Sequence, residues 1–251
     1  DEEHGVSKDQ DTDEYTERIS VNILGHIFEQ SIGDLEELHG IKKSKRKKQG
    51  VFYTPEYVTE YICKNTIIPY LSKKGATEPH QLILEYKDNI QELQDKFEKI
   101  KILDPACGSG AFLVKSVDVL LSIYDEIQKF KQKSGSYTHT TKGKRSVAQK
   151  WMTFDKESEK DFARGIIKDN IYGVDINSES VEITKLSLFL KIASKGRQLI
   201  GLSARIRHGN SLIDENDDGT GFDWKTEFQE ILNKKWREDI GFDIVVGNPP
   251  Y

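Results

Sequence analysis

Four short apolar segments, each followed by polar or glycine-rich residues, most strongly constrain what this 251-residue chain can fold into. They lie at residues 101–104, 170–175, 204–207 and 242–247, and helical patterns separate them. Alternation of this kind predicts a doubly wound, mostly parallel sheet of an α/β fold. Ligands of such sheets bind beyond the carboxyl ends of the strands. We therefore expect the four strand tips to converge on one site.

The helical patterns have recognisable starts. Apolar spacing favours helices over residues 84–99 and 111–130. Another helix is predicted after Thr54-Pro55, where the threonine can cap and the proline suits the first turn. Its predicted apolar stripe consists of Tyr57, Val58, Tyr61 and Ile62. Asn177 or Ser178 can cap a helix whose apolar positions are Val181, Leu186, Leu190 and Ile192.

Composition divides the chain into three parts. Residues 1–15 are predicted to be a disordered acidic tail, residues 16–50 a helical segment with a basic connector, and residues 51–251 an α/β domain. A Lys-, Ser-, Gly- and Thr-rich stretch predicts an exposed insertion at 131–160. No apolar run approaches the roughly 20 residues that span a bilayer, and no secretory signal is evident. We expect a cytoplasmic protein without membrane or metal sites.

The charge of the chain gives two opposing indications about nucleic-acid binding. The net charge of −5 argues mildly against a phosphate-binding surface over the whole protein. Lys42–Lys48, in contrast, contains six cations in seven residues. This run is either a solvated loop or a contact to DNA phosphates, and composition alone leaves both interpretations open.

A glycine-rich turn follows the first strand, with the sequence Asp104-Pro105-Ala106-Cys107-Gly108-Ser109-Gly110. Glycine lets a ligand approach the backbone closely, and the N–H groups at the start of the next helix suit a carboxylate. Asp104 could accept a hydrogen bond from an ammonium group of the same ligand. Cys107 is interpreted as a small turn residue because no partner base is evident for it.

Two further strand tips carry polar residues. Asp175 suits the hydroxyl groups of a ribose, although an aspartate there could equally cap the following helix. Asn210, with Ser211 beside it, could contact the exocyclic amine of a bound adenine, or it could be a turn residue with a satisfied amide.

The last four residues, Asn248-Pro249-Pro250-Tyr251, are the most specific. Two prolines hold the chain rigid just past a strand. The Asn248 side chain and the Pro249 carbonyl offer two acceptors, and the Tyr251 ring offers a stacking surface. This set matches an exocyclic amine on a flat base, since the ring can stack on the base and the two acceptors can bind both amine hydrogens. Binding both hydrogens frees the nitrogen lone pair from delocalisation into the base, so that it can attack.

Five ordered motifs resemble those of gamma-class DNA adenine-N6 methyltransferases, within them the type IIG and type I restriction–modification enzymes. They are Gln49–Pro55, Ile102–Phe112, Tyr172–Asn177, Gly209–Leu212 and Asn248–Tyr251. The helical stretch Ile23–Glu29 is also similar to the segment that precedes the methyltransferase in type IIG enzymes. The resemblance implies a Rossmann-like core that binds S-adenosylmethionine and acts on double-stranded DNA.

The same resemblance implies a role for each matching residue. Tyr53, Thr54 and Pro55 would lie against the methionine end of the cofactor. The turn from Asp104 through Pro105, Ala106, Gly108 and Gly110 would surround its amino-acid part. Its ribose and adenine would be held by Asp175, Ile176, Asn210 and Ser211. The flipped target adenine would be received by Asn248, Pro249, Pro250 and Tyr251.

Because the chain ends at Tyr251, we expect a partial methyltransferase domain whose fourth strand has an open edge, and little activity from the chain alone. Two alternatives stay open: a methyltransferase acting on protein glutamine or RNA, and a non-catalytic cofactor-binding or assembly fragment. Glu85-Tyr86-Lys87 has the spacing of a nuclease motif but lacks a suitable upstream aspartate, which disfavours a nuclease site here.

Overall fold

The computed structural model describes residue 27 and residues 54–133, 156–193, 200–213, 221–232 and 241–248. Ile27, inside the predicted N-terminal helical segment, is helical. The predicted acidic tail, the basic run Lys42–Lys48, Tyr53 and the last three residues, Pro249 to Tyr251, lie outside the described residues.

A four-stranded parallel sheet forms the centre of the described structure. Its strands are β1 (Ile102–Asp104), β2 (Ile171–Asp175), β3 (Ile206–His208) and β4 (Ile244–Val245), in the order β3-β2-β1-β4. All three strand pairs are parallel. The strand order reverses between β1 and β4, and this switch point is where ligands bind in such sheets. The predicted α/β class is confirmed.

Eight helices surround this sheet in the described residues: α1 (Glu56–Leu71), α2 (Pro79–Glu85), α3 (Ile90–Lys99), α4 (Ala111–Lys133), α5 (Lys156–Asp169), α6 (Ser178–Ile192), α7 (Trp224–Glu227) and α8 (Gln229–Leu232). No helix among the described residues combines the length and hydropathy needed to cross a bilayer.

Each face of the sheet has its own apolar cluster, because successive side chains of a strand point to opposite faces. Ile102 and Ile171 belong to the larger cluster, which includes the buried residues of α1, α4 and α5. Leu103, Tyr172 and Val174 point the other way and pack with a smaller set, consisting of Phe222, Phe228 and Ile231. The strands are therefore covered on both faces.

The start and the buried face of α1 differ from the prediction. Pro55 occupies the cap position, no side chain caps the helix, and Thr54 lies one residue ahead. The predicted stripe is wrong at Tyr57 and Tyr61, which are 75% and 68% exposed, whereas Val58 is half-buried and Ile62 packs against the larger cluster. The buried residues are instead Thr59, Cys63, Ile67, Ile68 and Leu71. The first half of this face consists of the small residues Thr59 and Cys63, which hydropathy alone does not mark as buried.

Several boundaries differ as well. Residues 84–99 form parts of two helices, because the chain turns at Tyr86, whose hydroxyl donates to the Leu71 carbonyl at 2.7 Å. Helix α4 extends to Lys133 and α5 begins at Lys156, so both ends of the predicted 131–160 insertion are helical. Residues 134–155 lie outside the described residues. In α6, Leu186 and Leu190 are largely exposed, whereas Val181 and Ile192 are buried as predicted.

Candidate active site

Backbone hydrogen bonds bring the strand tips together. The Cys107 amide donates to the Val174 carbonyl at 2.9 Å, which joins the turn after β1 to the end of β2. The Gly209 amide donates to the Asp175 carbonyl at 2.9 Å, which joins the end of β2 to the turn after β3. The predicted convergence of these three tips is confirmed by this arrangement.

The turn after β1 requires glycine at two positions. Gly108 and Gly110 have φ values of +53° and +89°, in the left-handed region that side chains rarely occupy. A Cβ atom at Gly110 would also lie 3.0 Å from the Thr184 side chain. The Thr184 hydroxyl, from α6, donates to the Gly108 carbonyl at 2.7 Å and holds the turn in place.

Asp104 ends β1 and is only 1% exposed. Its Oδ1 accepts from the Ala106 amide at 3.0 Å, whereas its buried Oδ2 has no hydrogen-bond partner among the described residues. Burial raises the pKa of Asp104 to about 7, with a smaller contribution from the nearby charge of Asp175 and against the opposing effect of the Ala106 amide. A buried carboxylate oxygen without a partner suits a cationic ligand group, because an unpaired buried charge is costly.

Asp175, at the end of β2, already holds two backbone groups. Its Oδ2 accepts from the Gly108 amide at 2.8 Å and its Oδ1 accepts from the Asn177 amide at 2.9 Å. Burial raises the pKa of Asp175 despite these bonds. Asn177 caps α6 through the Ser180 amide, as one of the two predicted caps. Asp175 therefore positions the glycine turn, and each carboxylate oxygen retains a lone pair for a ligand hydroxyl.

The tip of β3 is closed by its own turn. The Asn210 side-chain oxygen accepts from the Leu212 amide at 3.1 Å, so the predicted turn role is present. Asn210 also forms a parallel bridge with Gly221. Ser211 is half-buried, and Ile176, on the neighbouring tip, is 48% exposed. An exposed apolar side chain beside polar groups is the kind of surface on which a flat base can lie.

Asn248 reaches the same edge from β4. The preceding Gly247 packs so closely on Asp104 that a Cβ atom there would lie 2.7 Å from its Oδ1. The Asn248 side chain is exposed, and its Nδ2 donates to the Thr54 hydroxyl at 3.2 Å. The structure therefore brings together Thr54, Asp104 and Asn248, which belong to three separate motifs of the sequence.

Cys107 lies inside the turn but is inert. Burial raises the pKa of its thiol well above the ordinary range, and the carboxylates of Asp104 and Asp175 act in the same direction. A protonated, buried thiol is a poor nucleophile. This agrees with its interpretation as a turn residue.

Three residues that support this site were not among the predicted site residues. Thr184 lies inside a helix, and nothing in the sequence marks its bond to the glycine turn. Gly173, inside β2, permits close packing, since a Cβ atom there would lie 2.8 Å from the Leu113 side chain. Lys115 of α4 forms an ion pair with Glu56 of α1 at 2.8 Å. A glycine within a buried strand was the one signal available in advance.

The Glu85-Tyr86-Lys87 segment has a structural role in the described residues. The Glu85 carboxylate accepts bonds from the Ser72 hydroxyl and from the backbone amides of Lys73, Lys74 and Ala76. No group of three or more metal-ligating side chains occurs in the described part of the chain. Glu85 thus stabilises the loop between α1 and α2.

Residues 169–251 match the model of the Eco57I restriction-modification methylase family. They extend from the end of α5 through β2, β3 and β4 to Tyr251, and therefore include both Asp175 and Asn248.

Similarity to individual proteins extends over more of the chain. It is 31% identical over 238 residues, 82% of its length, to a protein named as a type II restriction enzyme and methyltransferase, RM.MjaORFECS2P, of Methanocaldococcus jannaschii. It is 29% identical over 92% of its length to the type II restriction enzyme and methyltransferase RM.Eco57I of Escherichia coli. The adenine-specific methyltransferase BrxX of Escherichia coli O9:H4 is 23% identical over 74% of the chain. The chain spans between 14% and 21% of the lengths of these three relatives.

Proposed function

We propose that this methylase segment binds S-adenosylmethionine and contributes the catalytic asparagine of a DNA adenine-N6 methyltransferase of a restriction–modification system. One observation carries the proposal: Asn248 lies directly after Gly247, which packs on the buried and partly unpaired carboxylate of Asp104. A group that can hold the donor and a group that can hold the acceptor thus meet at the switch point of the sheet.

The donor side of the site fits S-adenosylmethionine. The Asp104 Oδ2 would accept from its ammonium group, and backbone amides in the first turn of α4, which lack an intrahelical partner, would hold its carboxylate. Asp175 and Ile176 would contact the ribose and the adenine ring, with Asn210 and Ser211 at the ring edge. When bound, the cofactor supplies an activated methyl group on a sulfonium.

The acceptor side would use Asn248 together with Pro249, Pro250 and Tyr251. The Asn248 Oδ1 and the Pro249 carbonyl would accept the two N6 hydrogens of an adenine flipped from double-stranded DNA. The N6 nitrogen would accept the methyl group that the bound cofactor supplies and would lose one proton to water. The two acceptors would stabilise the positive charge that develops on N6.

Two substitutions in the full-length protein separate these roles. Asp104→Ala should mainly weaken S-adenosylmethionine binding, measured by calorimetry, because it removes the partner of the ammonium group. Asn248→Ala should mainly lower turnover at saturating cofactor and DNA. Asp88→Ala, at an exposed turn position, is the matched control. Equal losses of cofactor affinity from Asp104→Ala and Asn248→Ala would contradict the assigned roles.

The substrate class is tested with the same full-length protein. Methylation is measured with DNA, RNA and protein acceptors, and the position of the methyl group on DNA is read from the modified nucleoside. N6-methyladenine in DNA is expected. Methylated glutamine or RNA in its place would favour the alternative substrates, and absence of S-adenosylmethionine binding would refute the assignment altogether.

A further inference from the structure

We propose that Thr54 is a positioning residue for Asn248: its hydroxyl hydrogen-bonds the Asn248 side-chain amide and holds that side chain at the ligand edge of the sheet, where its Oδ1 can meet the acceptor amine. This inference rests on the proposed function and deepens it. The resemblance places Thr54 only against the cofactor, whereas the structure joins it to the residue on the acceptor side.

The orientation of the Asn248 amide matters chemically. An asparagine amide carries a donor on one side and an acceptor on the other, and the two sides have nearly the same shape. Only the Oδ1 can accept a hydrogen from an amine. An amide rotated by half a turn would present an NH₂ group to the N6 hydrogens of the acceptor and would repel them.

Packing alone does not hold the Asn248 side chain in place, because Asn248 is exposed. The side-chain hydrogen bond that it makes within the described residues runs from its Nδ2 to the Thr54 Oγ1, at 3.2 Å. This bond uses the donor side of the amide. The Oδ1 is left available for the acceptor.

Thr54 can hold Asn248 because it is fixed itself. It is 9% exposed and lies directly before α1, whose first turn is closed by bonds from Val58 and Thr59 to the Pro55 carbonyl. Glu56, at the start of α1, accepts from the Lys115 ammonium at 2.8 Å. Lys115 lies on α4, the helix that begins at the glycine turn.

This chain of contacts connects the donor and acceptor sides of the site. The glycine turn, α4, the Lys115–Glu56 ion pair and Thr54 follow one another in space, and Asn248 is the last member. The position of the Asn248 amide is therefore tied to the element proposed to hold the cofactor. Geometry of this kind raises turnover more than binding, because it acts on the alignment of the reacting groups.

The test uses Thr54→Val and Thr54→Ser in the full-length protein, with kcat measured at saturating S-adenosylmethionine and DNA. Valine keeps the shape of threonine but removes the hydroxyl, so kcat should fall roughly three- to tenfold, the effect of one neutral hydrogen bond. Serine keeps the hydroxyl and should retain kcat within about twofold, well inside the effect of that bond. Cofactor affinity is measured separately by calorimetry.

Thr59→Val is the matched control. Thr59 is also buried on α1, and its hydroxyl donates to the Glu56 carbonyl at 2.8 Å without contacting Asn248. This variant should keep the wild-type kcat, so that a loss confined to Thr54→Val reflects the bond to Asn248.

Two results would overturn the inference: a wild-type kcat for Thr54→Val at saturating cofactor and DNA, or an equal loss for Thr54→Ser. The first result, together with weaker cofactor binding, would leave Thr54 with a cofactor-binding role alone. In both cases wild-type protein still methylates adenine in DNA. A wild-type protein without that activity refutes the proposed function itself, and the two failures are thereby distinguished.

Discussion

Replacing Asp104 with asparagine should stabilise the chain relative to wild type as the pH rises from 5 to 8. The same substitution should weaken cofactor binding. The Asp104 carboxyl group is almost fully buried and one of its oxygens has no partner among the described residues. A charge in this position is costly until a cation pairs with it. Asparagine keeps the acceptor for the Ala106 amide and removes the charge.

The magnitude follows from the pKa of Asp104, which burial raises from an ordinary 3.8 to about 7. Between these values the folded chain retains a proton that the unfolded chain has released. The free energy of unfolding of the wild type therefore falls as pH rises from about 4 to 7, and it levels off above. From pH 5 to pH 8 this loss amounts to roughly 2–3 kcal/mol. The Asp104→Asn variant lacks this loss, and any cost of its buried NH₂ group is independent of pH.

Urea unfolding of the 251-residue chain without cofactor, at pH 5 and pH 8, measures this difference. The stability of Asp104→Asn relative to wild type should rise by roughly 2–3 kcal/mol between the two pH values. Asp88→Asn, at an exposed position, should show no such change. An equal difference between wild type and Asp104→Asn at both pH values would refute the view that a desolvated charge resides on Asp104.

Three further substitutions test the framework of the site by urea unfolding. Gly110→Ala should lower the free energy of unfolding by about 1–3 kcal/mol, because φ is +89° and the new Cβ would lie 3.0 Å from the Thr184 side chain. An unchanged midpoint of urea unfolding would contradict this prediction. Gly165→Ala, inside α5 with open space around it, should instead raise the free energy of unfolding by about 0.5–1 kcal/mol. Asn170→Ala should lower the free energy of unfolding by about 1–3 kcal/mol, because the Asn170 amide donates to the buried Ile100 carbonyl at 2.7 Å. A loss below about 0.5 kcal/mol would show that this bond contributes little.

The sheet and its tips could be predicted because their signals are local. Apolar strands ending in Asp104 and Asp175 mark both the strand and the position of the ligand edge. The contact between Thr54 and Asn248 joins residues 194 positions apart. Nothing in either local sequence specifies that contact, which depends on how α1 and β4 are placed on the sheet.

Helix faces were harder to predict where hydropathy and burial disagree. Tyr57 and Tyr61 have large apolar rings but lie on the exposed side of α1, whereas Thr59 and Cys63 are small and buried. Burial there follows from close packing of α1 against α4, and such packing favours small residues. Helix α5 was missed for a related reason, since its many charged residues conceal the buried positions Phe162, Ala163, Ile166 and Ile167.

Asn248 follows β4, the shortest strand of the described sheet, and this position affects how the site unfolds locally. β4 contributes two residues at one edge of the described sheet, whereas β1 and β2, which carry Asp104 and Asp175, are interior strands. Segments at an edge open at a lower free energy than the core of a domain. The two halves of the site thus differ in local stability, and fraying of this one edge can displace Asn248 while Asp104 and Asp175 remain in register.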